Sequence, residues 1–217
     1  FHRNLFDRLF EPDSIDTTIC NSTLHEIWSY GDGEKSVRKY LAEKFRQLRA
    51  GGRLLIRDVV GPDAGDTEVL LWCSDSDGDN LAPLELVRHE GREAAWLQKL
   101  STRSRFRLFA RDFLGGRHPY AFLEVGWDSR VLFRLSLRRA AEFLSKKDYC
   151  DNWRSEMNEE FCFWSFSNWK RVLSEIGFHI NETPNQPGCG SRCYVNPWIV
   201  EHRYRAHVSL FNPDGSQ

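Results

Sequence analysis

The side chains able to do chemistry fall into a few short clusters. Asn21 and Ser22 directly follow the β-branched run IDTTIC, and His25 and Glu26 come just after. An imidazole titrates near neutral pH, so His25 can act as a general base toward an oxygen acceptor, or it can line a pocket as structure. Glu26 can pair with it or cap a helix. Asn21 and Ser22 can contact a ligand or cap a turn, which both residue types do routinely. Arg57 and Asp58 end the run RLLIRD. Charges at the end of a buried strand need a reason, either a pocket or a mutual ion pair. Segment 147–159, KDYCDNWRSEMNE, carries Tyr149, Asn152, Trp153 and Glu156. Loops hold binding residues disproportionately, so these four can close over a substrate. The alternative is an exposed linker with Trp153 as its buried anchor.

The elements around these clusters follow from periodicity. Residues 15–20 read as a strand. Val37, Tyr40, Leu41, Phe45 and Leu48 lie on one face of a helix over 34–49, and Gly51-Gly52 is expected to cap it. The run 53–60 reads as a strand buried on both faces. Strand, helix and strand in this order form a βαβ unit with a parallel pairing. A helix over 136–146 has Ser136 as its N-cap, and its stripe is Leu137, Ala140, Ala141 and Leu144. Another helix over 166–176 carries Trp169, Val172, Leu173 and Ile176, and Gly177 stops it. Residues 178–180 start a strand. A last strand pair or hairpin is expected around 193–211, after a Pro/Gly/Asn loop at 184–191, with Asn196-Pro197-Trp198 as a structural strand-edge turn.

Two regions differ in composition. Residues 61–80 hold six acidic and no basic residues, and read as a surface loop with a short apolar patch at 69–73. Residues 84–147 read as mostly helical. From Lys99 to Lys147 there are 12 Lys or Arg against 4 Asp or Glu. Such a run is a footprint for phosphate, as in RNA or a nucleotide, or a solvated helix face.

The whole-chain figures bound the answer. With 217 residues, 41% hydrophobic and 13% aromatic, the chain can build a packed core and is not of disordered composition. The net charge of -1 selects no partner. No apolar run reaches membrane-spanning length and no signal peptide opens the chain, so a cytoplasmic protein is expected. Six cysteines in a domain of this size favour reduced thiols over a disulfide framework. Cys189 and Cys193 are the only close pair. His202 and His207 follow within an expected strand, so no metal site is assigned. The sequons at Asn21 and Asn181 are chance matches in this setting.

The order of motifs resembles a known family. IDTTICNSTLHEIWSY, a helix, and then LRAGGRLLIRDVV is similar to the fourth strand, following helix and fifth strand of class I S-adenosylmethionine (SAM) dependent methyltransferases. Asp16 matches the acidic start of that fourth strand, and Leu48-Arg49-Ala50-Gly51-Gly52 matches the approach to the fifth. Leu173-Ser174-Glu175-Ile176-Gly177-Phe178 resembles the helix end that feeds the family's last antiparallel strands. The resemblance implies an α/β fold: a Rossmann-like, mostly parallel sheet with a C-terminal antiparallel strand pair. It covers residues 10–60 and 165–211. Residues 61–164 become a loop plus a largely helical insertion, an acceptor-side lid.

The resemblance also implies roles and a deficit. Asn21 and Ser22 become cofactor contacts, and His25 and Glu26 catalytic candidates. Arg57, Asp58, Tyr149, Asn152, Trp153 and Glu156 become acceptor contacts. The family's Gly-rich SAM loop and its acidic ribose-binding residue have no counterpart before residue 15. The chain is therefore expected to be the C-terminal part of one methyltransferase domain, incomplete at its N-terminus, with one face of its sheet uncovered. SAM-dependent methyl transfer to a small-molecule or nucleotide-containing acceptor is expected of the longer protein, and RNA association remains open. The alternative is a non-catalytic, methyltransferase-like partner or scaffold.

Overall fold

The computed structural model describes residues 6–7, 9–81, 93–116, 120–180 and 197–216. The fold is α/β, with a two-stranded parallel sheet and a separate four-stranded antiparallel sheet.

The parallel unit comes first. Strand β1 (Ile15–Asn21) leads through α1 (Leu24–Tyr30) and α2 (Glu34–Gln47) to β2 (Leu48–Arg57). The strands pair in register from Thr17↔Arg53 to Asn21↔Arg57. Helix α7 (Phe166–Ile176) returns to pack on the same unit. Cys20, Leu24, Val37, Tyr40 and Leu41 form the core with Trp169, Val172 and Leu173. Leu54 and Ile56 press on it from the sheet. The opposite sheet face is bare: Ile19 is 70% exposed and Leu55 52%. Side chains alternate across a strand, so these neighbours point away from the helices. The expectation that β2 is buried on both faces is thus corrected, because no element covers its second face among the described residues.

Local chemistry sets the helix ends. Ser165 and Asn168 form a capping box at the start of α7. Gly177 ends it at φ 116°, and the Phe178 amide donates to the Leu173 carbonyl, a Schellman closure. A Cβ at Gly177 would come within 2.7 Å of the Phe45 ring. Gly51-Gly52 does not cap α2 as expected. The helix ends at Gln47, and Gly51, at φ 77°, lies inside β2. There the register jumps from Ile15↔Leu48 to Thr17↔Arg53, and the left-handed backbone absorbs the extra residues of a bulge.

The antiparallel unit departs most from expectation. Residues 61–80 are not a surface loop throughout. Strand β3 (Glu68–Cys73) lies between two partners, with Val69, Leu70, Leu71 and Cys73 buried. Acidic flanks obscured six strand-forming residues. Beyond it lie α3 (Glu93–Lys99), α4 (Thr102–Asp112) and a 3-10 turn at Phe113–Gly116. The insertion is not largely helical either. Strands β4 (Leu123–Trp127) and β5 (Arg130–Ser136) make a hairpin. Asp128 and Ser129 form its two-residue turn, both at positive φ, as a primed turn requires. Then α5 (Leu137–Lys146) starts at Ser136, whose hydroxyl accepts from the Arg139 amide as expected. A single turn, α6 (Trp153–Glu156), follows.

The C-terminal end differs as well. Residues 178–180 form no strand, and α8 (Pro197–Ile199) runs into a π turn at Val200–Tyr204, so Trp198 and His202 sit on helical turns. Strand β6 (Val208–Phe211) pairs antiparallel with β3, giving the order β4-β5-β3-β6. The expected strand pair beside the parallel sheet is therefore not formed among the described residues. Val208 and Leu210 instead pack on the core of the antiparallel unit. The loop at 184–191, Asn181, Cys189, Cys193 and Asn196 lie outside the described residues.

That core is dense and aromatic, with Phe106, Phe109, Phe133 and Phe143 fully buried and Phe106 at its centre. Its charges are matched internally. Arg103 pairs with Asp75, Arg105 with Asp77 and Asp148, and Arg107 with Glu124. Arg134 reaches Glu68, Arg138 reaches Asp66, and Lys147 pairs with Asp148. The acidic stretch 61–80 thus supplies counter-ions to the basic stretch that follows it.

Candidate functional site

Ligand sites of open α/β sheets lie beyond the carboxyl ends of parallel strands. Here that end gathers Asn21, Ser22, His25, Arg57 and Asp58. The chain turns sharply after β1. Ser22 adopts φ 49°, a left-handed value uncommon for a non-glycine residue, and its amide donates to the Arg57 carbonyl at 2.7 Å. Arg57 and Asp58 do not pair with each other. The Arg57 guanidinium donates to Asn21 Oδ1 at 3.0 Å and Ser22 Oγ at 3.2 Å. Asp58 turns the other way, into α1.

Asp58 is a buried hub. Its Oδ2 accepts from the Leu24 and His25 amides, at 2.9 and 3.4 Å, and so caps α1 from a neighbouring strand. Its Oδ1 accepts from the Val59 amide and lies 2.6 Å from His25 Nδ1. The second imidazole nitrogen, Nε2, lies 3.4 Å from Glu159 Oε2. Tyr30 donates its hydroxyl proton to Glu159 Oε1. His25 is 7% exposed, bracketed by two carboxylates and packed on the Phe161 ring at 4.5 Å. Burial pushes the imidazole pKa down. The Asp58 hydrogen bond and the charges of Asp58, Glu159 and Glu26 outweigh this, so it stands above the usual histidine value. Glu26 itself is exposed in the first turn of α1, and the direct partners of His25 are Asp58 and Glu159.

The segment from Tyr149 to Cys162 forms the facing wall. Tyr149, Asn152 and Glu156 line a cleft of about 1980 Å³ that also touches Ser22, His25, Arg57 and Asp58. Arg203 lies over the Tyr149 ring at 4.4 Å. Burial and the nearby Glu159 raise the Glu156 carboxyl above its ordinary value, and its Oε2 is buried without a hydrogen-bond partner among the described residues. Trp153 is placed elsewhere. It is buried in the core of the antiparallel unit, and its indole donates to Asp112 at 3.1 Å. Of the two readings of Trp153, the structure places it as the anchor.

Glu159, Glu142 and Lys146 escaped the sequence reading. Lys146 is fully buried, 2.8 Å from Glu142 Oε1, and donates to the Glu159 carbonyl. Its ammonium lies over the Phe161 ring at 4.4 Å. Glu142 accepts from the Phe161 and Cys162 amides at 2.8 and 2.7 Å. The available signal was the doublet Glu159-Glu160 just before the aromatic run FCFW, an unusual place for acids without partners.

Cofactor fit is partial. Asn21, Ser22 and Arg57 supply a polar rim. Among the described residues, no glycine follows a strand and opens a helix to form a cradle. Gly33 follows a helix, Gly51 serves the β2 bulge and Gly177 closes α7. No cluster of His, Cys, Asp or Glu among the described residues has a metal-binding arrangement. The four described cysteines, Cys20, Cys73, Cys150 and Cys162, are buried free thiols. No described helix is long and apolar enough to cross a membrane. Against this geometry, comparison with protein-family models, curated proteins and solved structures gives no match to this chain.

Proposed function

We propose that this chain is a methyltransferase-like module, the C-terminal part of a Rossmann-like SAM-dependent enzyme whose main cofactor cradle lies outside the described residues. One observation carries the reading. The parallel strand–helix–strand unit collects Asn21, Ser22, His25, Arg57 and Asp58 at its carboxyl end, where Ser22, His25, Arg57 and Asp58 line one open cleft and Asn21 holds Arg57. Methyl transfer asks a protein mainly for proximity and orientation, which such a cleft can supply. Asn21, Ser22 and Arg57 form the cofactor-side rim, and Tyr149, Asn152 and Glu156 the acceptor side. Both nitrogens of His25 already face carboxylates, so direct proton transfer from an acceptor would first require Glu159 to leave Nε2.

The test is calorimetric titration of SAM into the full natural chain that carries these 217 residues. Binding in the micromolar range, weakened about tenfold or more by Arg57→Ala, supports the reading, since a lost charged contact is worth about 1.5–3 kcal/mol. Absence of binding overturns it.

The bare face of β1 and β2 favours a second reading, a non-catalytic partner module. Parallel sheets are normally covered on both faces, so Ile19 and Leu55 call for a covering surface whether or not catalysis occurs. Association with RNA draws less support, because most cations of the 99–147 stretch already face intramolecular acids.

A further inference from the structure

The segment Glu159–Cys162 is the strap between the two units, and its two sides are held differently. Toward α5, the Phe161 and Cys162 amides donate to Glu142, and Lys146 grips the Glu159 carbonyl. Toward α1, the contacts are the Glu159 carboxylate with His25 and Tyr30, the Trp28 indole to Glu160 at 3.0 Å, and the Glu160 amide to Ser29 Oγ at 2.8 Å. In the first set the ion pair lies within one helix. In the second, the charge that faces Glu159 belongs to an imidazole on another element.

We infer that protonated His25 is a clasp holding the Glu159–Glu160 end of the strap against α1, and that the clasp releases when the imidazole loses its proton, freeing Glu159 on the cleft wall beside Glu156. The inference is independent of the methyl-transfer reading.

The argument is one of donors. Imidazolium donates from both nitrogens, whereas neutral imidazole has one N–H and one lone pair. Asp58, at 2.6 Å and fixed by backbone amides, keeps the single proton on Nδ1. The Nε2 lone pair then faces the Glu159 carboxylate at 3.4 Å, and the attraction is lost. The groups around His25 reinforce the direction. Asp58 faces it after β2, Glu26 and Tyr30 from α1, Glu156 from α6 and Glu159 from the strap. Lys146, on α5, lies over the Phe161 ring that packs on His25, and it is held by Glu142. Because the folded state raises the imidazole pKa, the clasp's stabilisation is complete below the unfolded value of about 6.5 and is lost as pH rises through the higher folded value.

The experiment is residue-resolved amide hydrogen exchange on the full chain between about pH 6 and about pH 9, corrected for intrinsic rates. The Glu160 amide should lose about tenfold or more in protection across this range, while the Phe161 and Cys162 amides stay within about threefold. In His25→Gln the Glu160 amide should be weakly protected and insensitive to pH. Glu159→Gln, which leaves the imidazole in place, should also flatten the profile, and it serves should His25→Gln not fold. A Glu160 amide equally protected at both ends of the range in the wild type overturns the inference. So does a pH-dependent loss that persists unchanged in Glu159→Gln.

Discussion

The antiparallel unit is the more closed of the two, with Leu123 and Trp127 exposed on its edge strand β4, whereas the parallel unit is open on one sheet face among the described residues. In the first, four phenylalanines are fully buried and six of the eight described arginines of the basic stretch meet an acid. In the second, Ile19 and Leu55 are exposed and the Arg57 guanidinium donates to Asn21 and Ser22. A closed unit has stability to lose but few free groups for a ligand. The open unit has unfilled surface and a cleft edge, and it carries Asn21, Ser22, His25, Arg57 and Asp58, which Tyr149, Asn152 and Glu156 face from the segment after α5. Stability and ligand chemistry are thus largely segregated, and substitutions on the two sides should behave oppositely.

The largest effects are expected in the closed unit and its strap. Phe106→Ala should cost about 3–5 kcal/mol in chemical denaturation, because it empties the centre of the aromatic core. Glu142→Ala should cost a similar amount, about 3–5 kcal/mol, since it leaves the Lys146 ammonium buried without its counter-charge and two strap amides without acceptors. A small loss in either variant would mean that the unit is looser than its packing indicates.

Intermediate effects come from the caps. Ser165→Ala should cost about 1 kcal/mol by removing one side of the α7 capping box, as thermal or denaturant melting would report. The closed unit also has its own response to acid. Burial pushes the Asp77 carboxyl pKa up, but hydrogen bonds from the Thr102 hydroxyl and amide outweigh this and hold it below the ordinary value. Its stabilisation is present above the unfolded value of about 3.9 and is lost as pH falls through the lower folded value. Denaturation curves between about pH 5 and about pH 2 should therefore show a shallower acid loss for Asp77→Asn than for the wild type. The His25 clasp responds at the other end of the scale, so acid and alkali should loosen different parts of the molecule.

The smallest effects belong to the bare face. Ile19→Ser and Leu55→Ser should change the stability of this chain by no more than about 0.5 kcal/mol, because both side chains are already in water. The same pair should become strongly destabilising in any assembly that covers the face. Melting the variants in this chain and in any longer natural chain or assembly that contains it would show whether the face is covered there.

Much of the parallel unit was legible in the sequence. The apolar spacing of Val37, Tyr40 and Leu41 fixed the buried face of α2, and the spacing of Trp169, Val172 and Leu173 did the same for α7. Ser136 and Gly177 mark helix ends by chemistry that acts within a few residues. The strand–helix–strand order placed Asn21, His25 and Asp58 at one end of the sheet. The antiparallel unit was poorly legible. Composition described 61–80 as acidic and loop-like, and a six-residue strand between charged flanks gives a short signal. The Asp128-Ser129 turn takes positive φ without a glycine, so its hairpin left little trace. The charge runs read as separate features because their pairing depends on contacts between distant residues.

The sequence by itself determined part of the local structure: the buried faces of α2 and α7, the caps at Ser136 and Gly177, the parallel pairing and the identity of the polar residues at its carboxyl end. These depend on periodicity and on hydrogen bonds that reach only a few positions along the chain. Tertiary structure alone decided who meets whom. It gave Asp58 to His25 rather than to Arg57, brought Glu159 to the second imidazole nitrogen, sent β6 to β3, and buried Trp153 away from the cleft. Each of these contacts joins residues far apart in sequence and is stabilised by burial and charge in a shared interior, which no local pattern records.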